Sequence, residues 1–264
     1  MKIGICTIAY NQPDHLRSLA DTAVKTSHDV EFHIFVHSKI RSVIDVCHQL
    51  EVDYNVKLYD HRVNRGVSRS WNDGLVEMGR SGCDVWMITN DDIWFSDGDI
   101  DKIVEAAIDH PEAYAIFTSG FHIGYNVPIN CHGMSCFVMQ PIAIANVGFY
   151  DENFFPAYNE DVDYARRAAR VKLRPYIIPD TNIHHIGSAA ITTSKELGQQ
   201  NYVTHAANNE YWTNKWGCPV TEDPGEGFKY PFNNHRLHPY FISESERHAP
   251  YPPYNRKDTD IVRI

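Results

Sequence analysis

Residues 84–92 read Asp-Val-Trp-Met-Ile-Thr-Asn-Asp-Asp. The run 84–89 is apolar enough for a central strand, and it delivers Asn90, Asp91 and Asp92 together to one strand end. Adjacent carboxylates repel each other unless a cation lies between them. Hard oxygen ligands of this kind suit Mg²⁺ or Mn²⁺ held beside a diphosphate. A solvated turn that caps the next helix is the alternative, since Asp and Asn favour such places. Asp97 and Asp99 stand closer to that helix and are better caps, which leaves the earlier trio for a ligand.

Upstream of this turn, apolar runs at 2–10, 31–37 and 56–59 predict three more strands, and 14–25, 40–50, 67–78 and 99–110 predict helices between and after them. In the first helix Leu16, Leu19, Ala20, Ala23 and Val24 fall at helical spacing. Four strand-helix units in succession imply an α/β fold, a mainly parallel sheet covered by helices on both faces. Sheets of this Rossmann-like kind bind ligands at the carboxyl ends of their strands. The residues there are Tyr10-Asn11, His37-Ser38, Asp60-His61 and Asn90-Asp91-Asp92. No Gly-x-Gly-x-x-Gly follows the first strand, which argues against a dinucleotide-binding dehydrogenase.

Downstream the alternation loosens. Strands are predicted at 114–119, 134–140, 174–178 and 182–186, and helices at 141–146, 160–171 and 204–216. The segment from 219 onward is rich in Pro, Tyr, Asn and His and has no sustained period. The expected organisation is therefore one domain over 1–217 and an extended arm over 218–264. Phe228, Tyr230, Phe232, Tyr240 and Phe241 suggest that the arm packs on its own domain, on acceptor or on a second copy, as in a homo-oligomer.

Composition narrows the chemistry. A chain of 264 residues, 43% hydrophobic and 22% charged, is long enough for a large core and is unlike a disordered chain. A formal charge of −10 and the lack of a long basic run exclude a general nucleic-acid surface, so an anionic ligand needs a metal ion. The apolar start, 1–6, is too short for a signal sequence or a membrane span, and a cytoplasmic location is expected. Cysteines at 6, 47, 83, 131, 136 and 218 form no Cys-x-x-Cys, which favours reduced core thiols over a zinc site at Cys131 and Cys136.

Several segments then share an order and spacing. Thr7-Ile8-Ala9-Tyr10-Asn11 resembles a Thr-x-x-Tyr-Asn opening, and residues 64–74 resemble an Asn-x-Gly-(five residues)-Asn-x-Gly segment. Residues 148–155 and 159–164 approach Gly-x-Phe-Asp-Glu…Glu-Asp-x-Asp, His185-Ile186-Gly187-Ser188 matches His-x-Gly-Ser, and residues 211–217 end in Lys-Trp-Gly. Together with the acidic turn, these resemble the family-2 glycosyltransferases of GT-A fold, over residues 7 to about 217.

The resemblance implies an inverting, metal-dependent transferase that moves a sugar from a nucleotide-sugar donor to an acceptor hydroxyl on a glycan. A UDP-sugar is the default donor, with dTDP- and GDP-sugars open. Thr7, Tyr10 and Asn11 would line the base and ribose, and His37 stands where many relatives carry an acid. Asn64, Gly66, Arg69 and Asn72 would frame the nucleotide and diphosphate. Asn90 replaces the first Asp of the motif, so Mn²⁺ or Mg²⁺ is assigned mainly to Asp92, with Asp91 toward the ribose or sugar. His185 is the second expected metal ligand and His184 its rival.

By the same resemblance Asp161 is the catalytic base, at a helix start whose dipole favours its ionised form. An acidic first turn that merely complements that dipole is the structural alternative. Glu160 and Asp163 are expected near donor or acceptor sugar, with Asp163 sharing a helical face with Arg166 and Arg167. Gly133 lies where relatives keep small residues, and Trp94, Phe155 and Tyr158 are candidates for stacking on a sugar ring. A sugar-phosphate nucleotidyltransferase would want a Gly-rich basic loop after the first strand, where Tyr10-Asn11-Gln12-Pro13-Asp14 stands. A catalytically silent carbohydrate- or nucleotide-binding module would have lost the base or the metal ligand, and Asp161 and Asp92 are both present.

Overall fold

A computed structural model describes residues 1–223 and 225. Its first half is the alternation expected: β1 (Lys2–Ala9), α1 (Pro13–Ala23), β2 (Asp29–Val36), α2 (Arg41–Asp53), β3 (Val56–Asp60), α3 (Val67–Arg80) and β4 (Val85–Thr89). Then come β5 (Ile93–Trp94), α4 (Asp99–Asp109), β6 (Ala115–Phe117), β7 (Gly120–His122), β8 (Val127–Ile129), a 3₁₀ turn (Gly133–Ser135) and β9 (Cys136–Met139). The remaining elements are α5 (Pro141–Asn146), α6 (Glu160–Arg170), β10 (Tyr176–Ile177), β11 (Ile183–His185), α7 (Ala189–Thr192) and α8 (Lys195–Trp216).

The main sheet has the order β10-β6-β9-β4-β1-β2-β3. β1, β2, β3 and β4 run parallel, whereas β9 is inserted antiparallel between β4 and β6. Successive side chains of a strand point to opposite faces; β2 turns Val30, Phe32, Ile34 and Val36 to one face and Glu31, His33 and Phe35 to the other. One face of the sheet packs Ile3, Ile5 and Phe32 against Leu16 of α1, Val43 of α2 and Ile103 of α4. The other packs Cys6, Phe35 and Ile88 against Leu75 of α3, Ile144 of α5 and Tyr164 of α6. Full burial of one such Leu, Ile or Phe side chain stabilises the fold by about 1.5–3 kcal/mol.

A second, four-stranded sheet, β5-β11-β7-β8, lies beyond β4. Of its strands only β11 was expected; β5, β7 and β8 are two or three residues long and too short to carry a hydrophobic period. α8 begins at Lys195, nine residues before the predicted start, because its polar opening turns and Gly198 give no apolar stripe. The arm begins as a packed segment: Cys218 and Val220 join Phe154, Tyr211, Trp212 and Trp216, and Arg166 Nη2 donates to the Val220 carbonyl at 3.2 Å. Residues 224 and 226–264, with the aromatics and the subunit contact expected there, lie outside the described residues. Among the described residues no helix is long and apolar enough to cross a membrane, and all six cysteines are unpaired thiols.

Candidate active site

A cleft of about 430 Å³ opens at the carboxyl ends of β1, β2 and β4, between the amino ends of α3 and α6 and the small sheet. Tyr10, His37, Asn64, Gly66, Asn90, Asp91, Asp92, Gly133, Glu160, Asp161 and His185 line it. Among the described residues of the lining there is no Lys or Arg. A diphosphate bound here would therefore need a cation to offset its charge.

Strand register explains how distant residues meet. β11 pairs antiparallel with β5, setting His185 opposite Ile93, the residue after Asp92. His185 Nε2 thus stands 3.2 Å from Asp92 Oδ1. Both atoms are buried, and their contact falls outside hydrogen-bond alignment although it is close enough for electrostatic attraction. The other oxygen of Asp92 accepts the backbone N–H groups of Gly187 (3.1 Å) and Ala189 (3.3 Å). Burial acts to raise the Asp92 pKa, but His185 and these N–H groups outweigh it and hold the carboxyl below its ordinary value. An ionised carboxylate oxygen and an imidazole nitrogen, both unsatisfied, fit a divalent cation. Alternation along β11 sends His184 to the other face, where its ring stacks on Trp94 with centroids 5.5 Å apart.

Asp91 behaves oppositely. Burial, and next the charge of Asp92, push its pKa well above the carboxylate range, and its Oδ2 has no hydrogen-bond partner. Across the cleft α6 begins with Glu160 and Asp161. Burial, then the neighbouring Asp161, pushes the Glu160 pKa well above its ordinary value. Burial also raises Asp161, whose Oδ1 accepts the backbone N–H of Val162 at 2.8 Å. Two carboxyls side by side, both with pKa values raised by burial, are suited to taking up a proton.

At the α3 end of the cleft, Gly66 enters the helix with φ +83°, and a Cβ there would meet the Phe155 ring at 2.8 Å. Asn64 Oδ1 caps the bend by accepting the Gly66 N–H at 3.0 Å. His37 Nε2 pairs with Ser70 Oγ at 3.0 Å. Burial first, then His61, Arg65 and Arg69, drive the His37 pKa down to about 3, so the ring presented to the cleft is neutral.

The other expected contacts lie elsewhere. Thr7 is fully buried inside β1: Ile8 and Tyr10 reach the cleft, and strand alternation turns Thr7 away. Asn11 donates to the Ala190 carbonyl at 2.9 Å and ties the first loop to α7. Val67 and Trp71 form the cleft-facing stripe of α3, so Arg69, between them in sequence, falls on the other side near Asp73. Asn72 is a strut that bonds both backbone groups of Tyr150 and the Glu152 carboxylate. Trp94 stacks on His184 outside the cleft, and Phe155 is likewise absent from the lining, whereas Tyr158 is in it. Asp163 is fully buried, bonded to Arg167 Nε (2.8 Å), Lys215 Nζ (2.6 Å) and Trp216 Nε1 (2.9 Å). Arg166 instead lies over the Trp212 ring.

Sequence reasoning missed His122 and gave His132 no role. His122 stands in register with His185 on the adjacent strand β7, and its ring fills the space where any side chain at Gly187 would go. Three residues of strand gave no signal for it. His132, pushed down to about 4 by burial and then by His185, lies on the third side of that ring. Among the described residues the one trio of metal-ligand groups at close spacing is Glu31, His33 and Cys83, at the opposite, amino end of the sheet. Lys2 and Lys57 ammoniums at 3.1 and 3.2 Å already neutralise Glu31 there.

A Rossmann-like sheet with an inserted antiparallel strand, an acidic turn after β4 and a carboxylate at the start of α6 is the GT-A fold of glycosyltransferases. Of solved structures with this fold, S. aureus TarS 1-349 in complex with UDP-GlcNAc matches at a TM-score of 0.57 and 10% identity, over 78% of this chain and 66% of that one. The mannosyltransferase PcManGT from Pyrobaculum calidifontis, in complex with GDP-Man and Mn²⁺, matches at 0.53 and 13%, over 83% and 72%. A protein of Leishmania donovani named galactofuranosyl glycosyltransferase is 29% identical over 162 residues, 48% of this chain and 37% of its own. The chain thus spans little more than a third of that relative's length. No protein-family profile matches the chain.

Proposed function

We propose that this chain is a metal-dependent, inverting glycosyltransferase that moves a sugar from a nucleotide diphosphate-sugar to an acceptor hydroxyl of a glycan. The observation that carries it is the cleft itself: Asp92 Oδ1 and His185 Nε2, buried and unsatisfied, share it with Asp161 on the opposite wall. Tyr10, His37 and Asn64 would receive the base and ribose, and Gly66 lets the nucleotide approach the backbone at the entry of α3. Asp92 and His185 would hold Mn²⁺ or Mg²⁺, which when bound offsets the charge of the diphosphate.

Asp161, ionised, would accept the acceptor hydroxyl proton as that oxygen forms its bond to the anomeric carbon and the bond to the nucleotide diphosphate breaks on the opposite face. Glu160, whose pKa burial raises, would be the carboxyl that keeps its proton and donates a hydrogen bond to a sugar oxygen. A silent binding module has less support, because the base and both metal-facing atoms are retained in one cleft.

The test is calorimetric titration of the chain with UDP, dTDP, GDP and CDP, with and without Mn²⁺, followed by turnover of the sugars of whichever base binds. The name of the Leishmania relative puts galactofuranose first among those sugars. Binding of one nucleotide that requires Mn²⁺ supports the proposal. Failure of all four would leave the transferase reading without a donor and end it.

A further inference from the structure

From residue 113 to residue 150 the chain holds no Asp, Glu, Lys or Arg, although 22% of its residues are charged. Much of that stretch is core: β6, β9 and α5 bury Ile116, Phe137 and Ile144. Burial does not account for the β7–β8 hairpin, which leaves Ile123, Tyr125 and Val127 exposed. The exposed amides of Asn126 and Asn130 flank them. An exposed apolar patch rimmed by polar groups is the mark of a contact surface.

Register sets where this patch lies. His122 stands opposite His185 of β11 and opposite Val127 of β8, so the three side chains share one face of the small sheet. His185 and His122 line the cleft, and the same face runs on from there to Val127 at the sheet edge. Tyr125, in the turn, lays its ring on His122 with centroids 4.4 Å apart and planes at 28°. One side of the ring is thereby covered. The residue is still 76% exposed, so its other side is open next to the cleft.

The turn is pinned to β11. The Ile123 N–H donates to the His185 carbonyl at 2.8 Å and the Gly124 N–H to the Ile186 carbonyl at 3.1 Å. The Tyr125 N–H donates to His122 Nδ1 at 3.3 Å. A ring held in this way binds without the cost of ordering its backbone. Its chemistry selects the occupant. The face of an aromatic ring is apolar, as is the C–H face of a sugar ring, and the neighbouring amides can bond hydroxyls. A nucleic acid or another polyanion would want Lys or Arg, which the hairpin lacks.

We propose that Tyr125, with Val127 beside it, is the acceptor subsite: a ledge on which a neutral sugar ring of the acceptor glycan stacks, so that the glycan enters the cleft past His122. The proposal rests on the transferase reading above and gives its acceptor a place and a charge.

The experiment presents the full chain, with Mn²⁺ and each of UDP, dTDP, GDP and CDP, to an array of immobilised neutral and anionic oligosaccharides. Retention on neutral glycans is expected. Tyr125→Ala should weaken it about 10-fold and Tyr125→Phe should preserve it, with calorimetric nucleotide affinity unchanged in both. Equal retention by Tyr125→Ala, or retention on no glycan, overturns the ledge, while nucleotide binding by the same samples leaves the transferase reading standing. Preference of the unaltered protein for anionic glycans overturns it whatever the variants do. A dimer that Tyr125→Ala dissociates in sedimentation would make the patch an interface between copies and overturn it too. No nucleotide binding ends both readings.

Discussion

Two groups of buried carboxylates lie on either side of the loop before α6, and they differ in whether they are matched. Asp151 and Asp163 share Lys215, at 2.7 and 2.6 Å, and Arg167 adds a second cation. Tyr211, Asn153 and Trp216 donate to the oxygens as well, so two negative charges meet two positive ones inside a shell of donors. In the cleft, Asp91, Asp92 and Glu160 each leave a buried oxygen without a hydrogen bond, and no Lys or Arg lines the wall. A buried charge is tolerated when paired and expensive when not. The first group is matched within the fold, and on the proposed reading the second holds a place for charge that arrives with a ligand.

Substitutions can break this contrast. Asp161→Asn should lower the transfer rate by about 10²–10⁴-fold, the usual worth of a general base, with nucleotide affinity unchanged. A parallel loss of nucleotide binding would take the base role away from Asp161. Lys215→Met strands Asp151 and Asp163 and should cost about 3–5 kcal/mol of stability, read as a lower denaturant midpoint, while the folded fraction still binds nucleotide. A midpoint near the unaltered one would mean the buried cluster is not what holds α8 down.

Asp92→Ala should abolish the Mn²⁺-dependent part of nucleotide binding and, by stranding the Gly187 and Ala189 N–H groups, lower stability by only about 1–3 kcal/mol. A large fall in stability would place Asp92 with the structural group. Gly187→Ala combines φ +86° with a Cβ only 2.3 Å from the His122 ring, and should cost about 1–3 kcal/mol and displace that histidine. An unchanged midpoint in this variant would show that the β7–β11 edge gives way easily.

The smallest effect sharpens the comparison through pH. On the proposed mechanism Asp161 acts ionised, and burial raises its pKa, so transfer should fall on acidification at a higher pH than an ordinary carboxylate, about 3.9, would dictate. That limb should vanish from the residual rate of Asp161→Asn. A limb at the ordinary position would mean that the carboxyl is solvated in the working complex.

The two groups were not equally legible. Asp92, Asp161 and His185 belonged to motifs whose order and spacing pointed to a site, and the geometry brings all three to one cleft. Asp163 sat in the same motif as Asp161, and nothing in the string separated a carboxylate facing solvent-filled space from one facing Lys215, 52 residues away. Thr7, Asn11, Arg69, Asn72 and Trp94 were misplaced for a related reason. A motif gives the neighbourhood, while strand alternation, helix phase and distant partners choose the direction of each side chain. His122 gave no signal at all, because its position follows from pairing with His185 of β11, 63 residues on.

By itself, then, the sequence determined the sheet and its helices, since hydrophobic period is a local property that each strand and helix carries in its own residues. It also pointed to the residues after the first four strands, of which those after β1, β2 and β4 line the cleft, because parallel strands end on one edge. Only the tertiary structure decided which carboxylates are neutralised, that His185 and not His184 faces Asp92, and that His122 and His132 flank it. Those outcomes depend on register between strands far apart in the chain, and a shift of one residue reverses the face of every side chain.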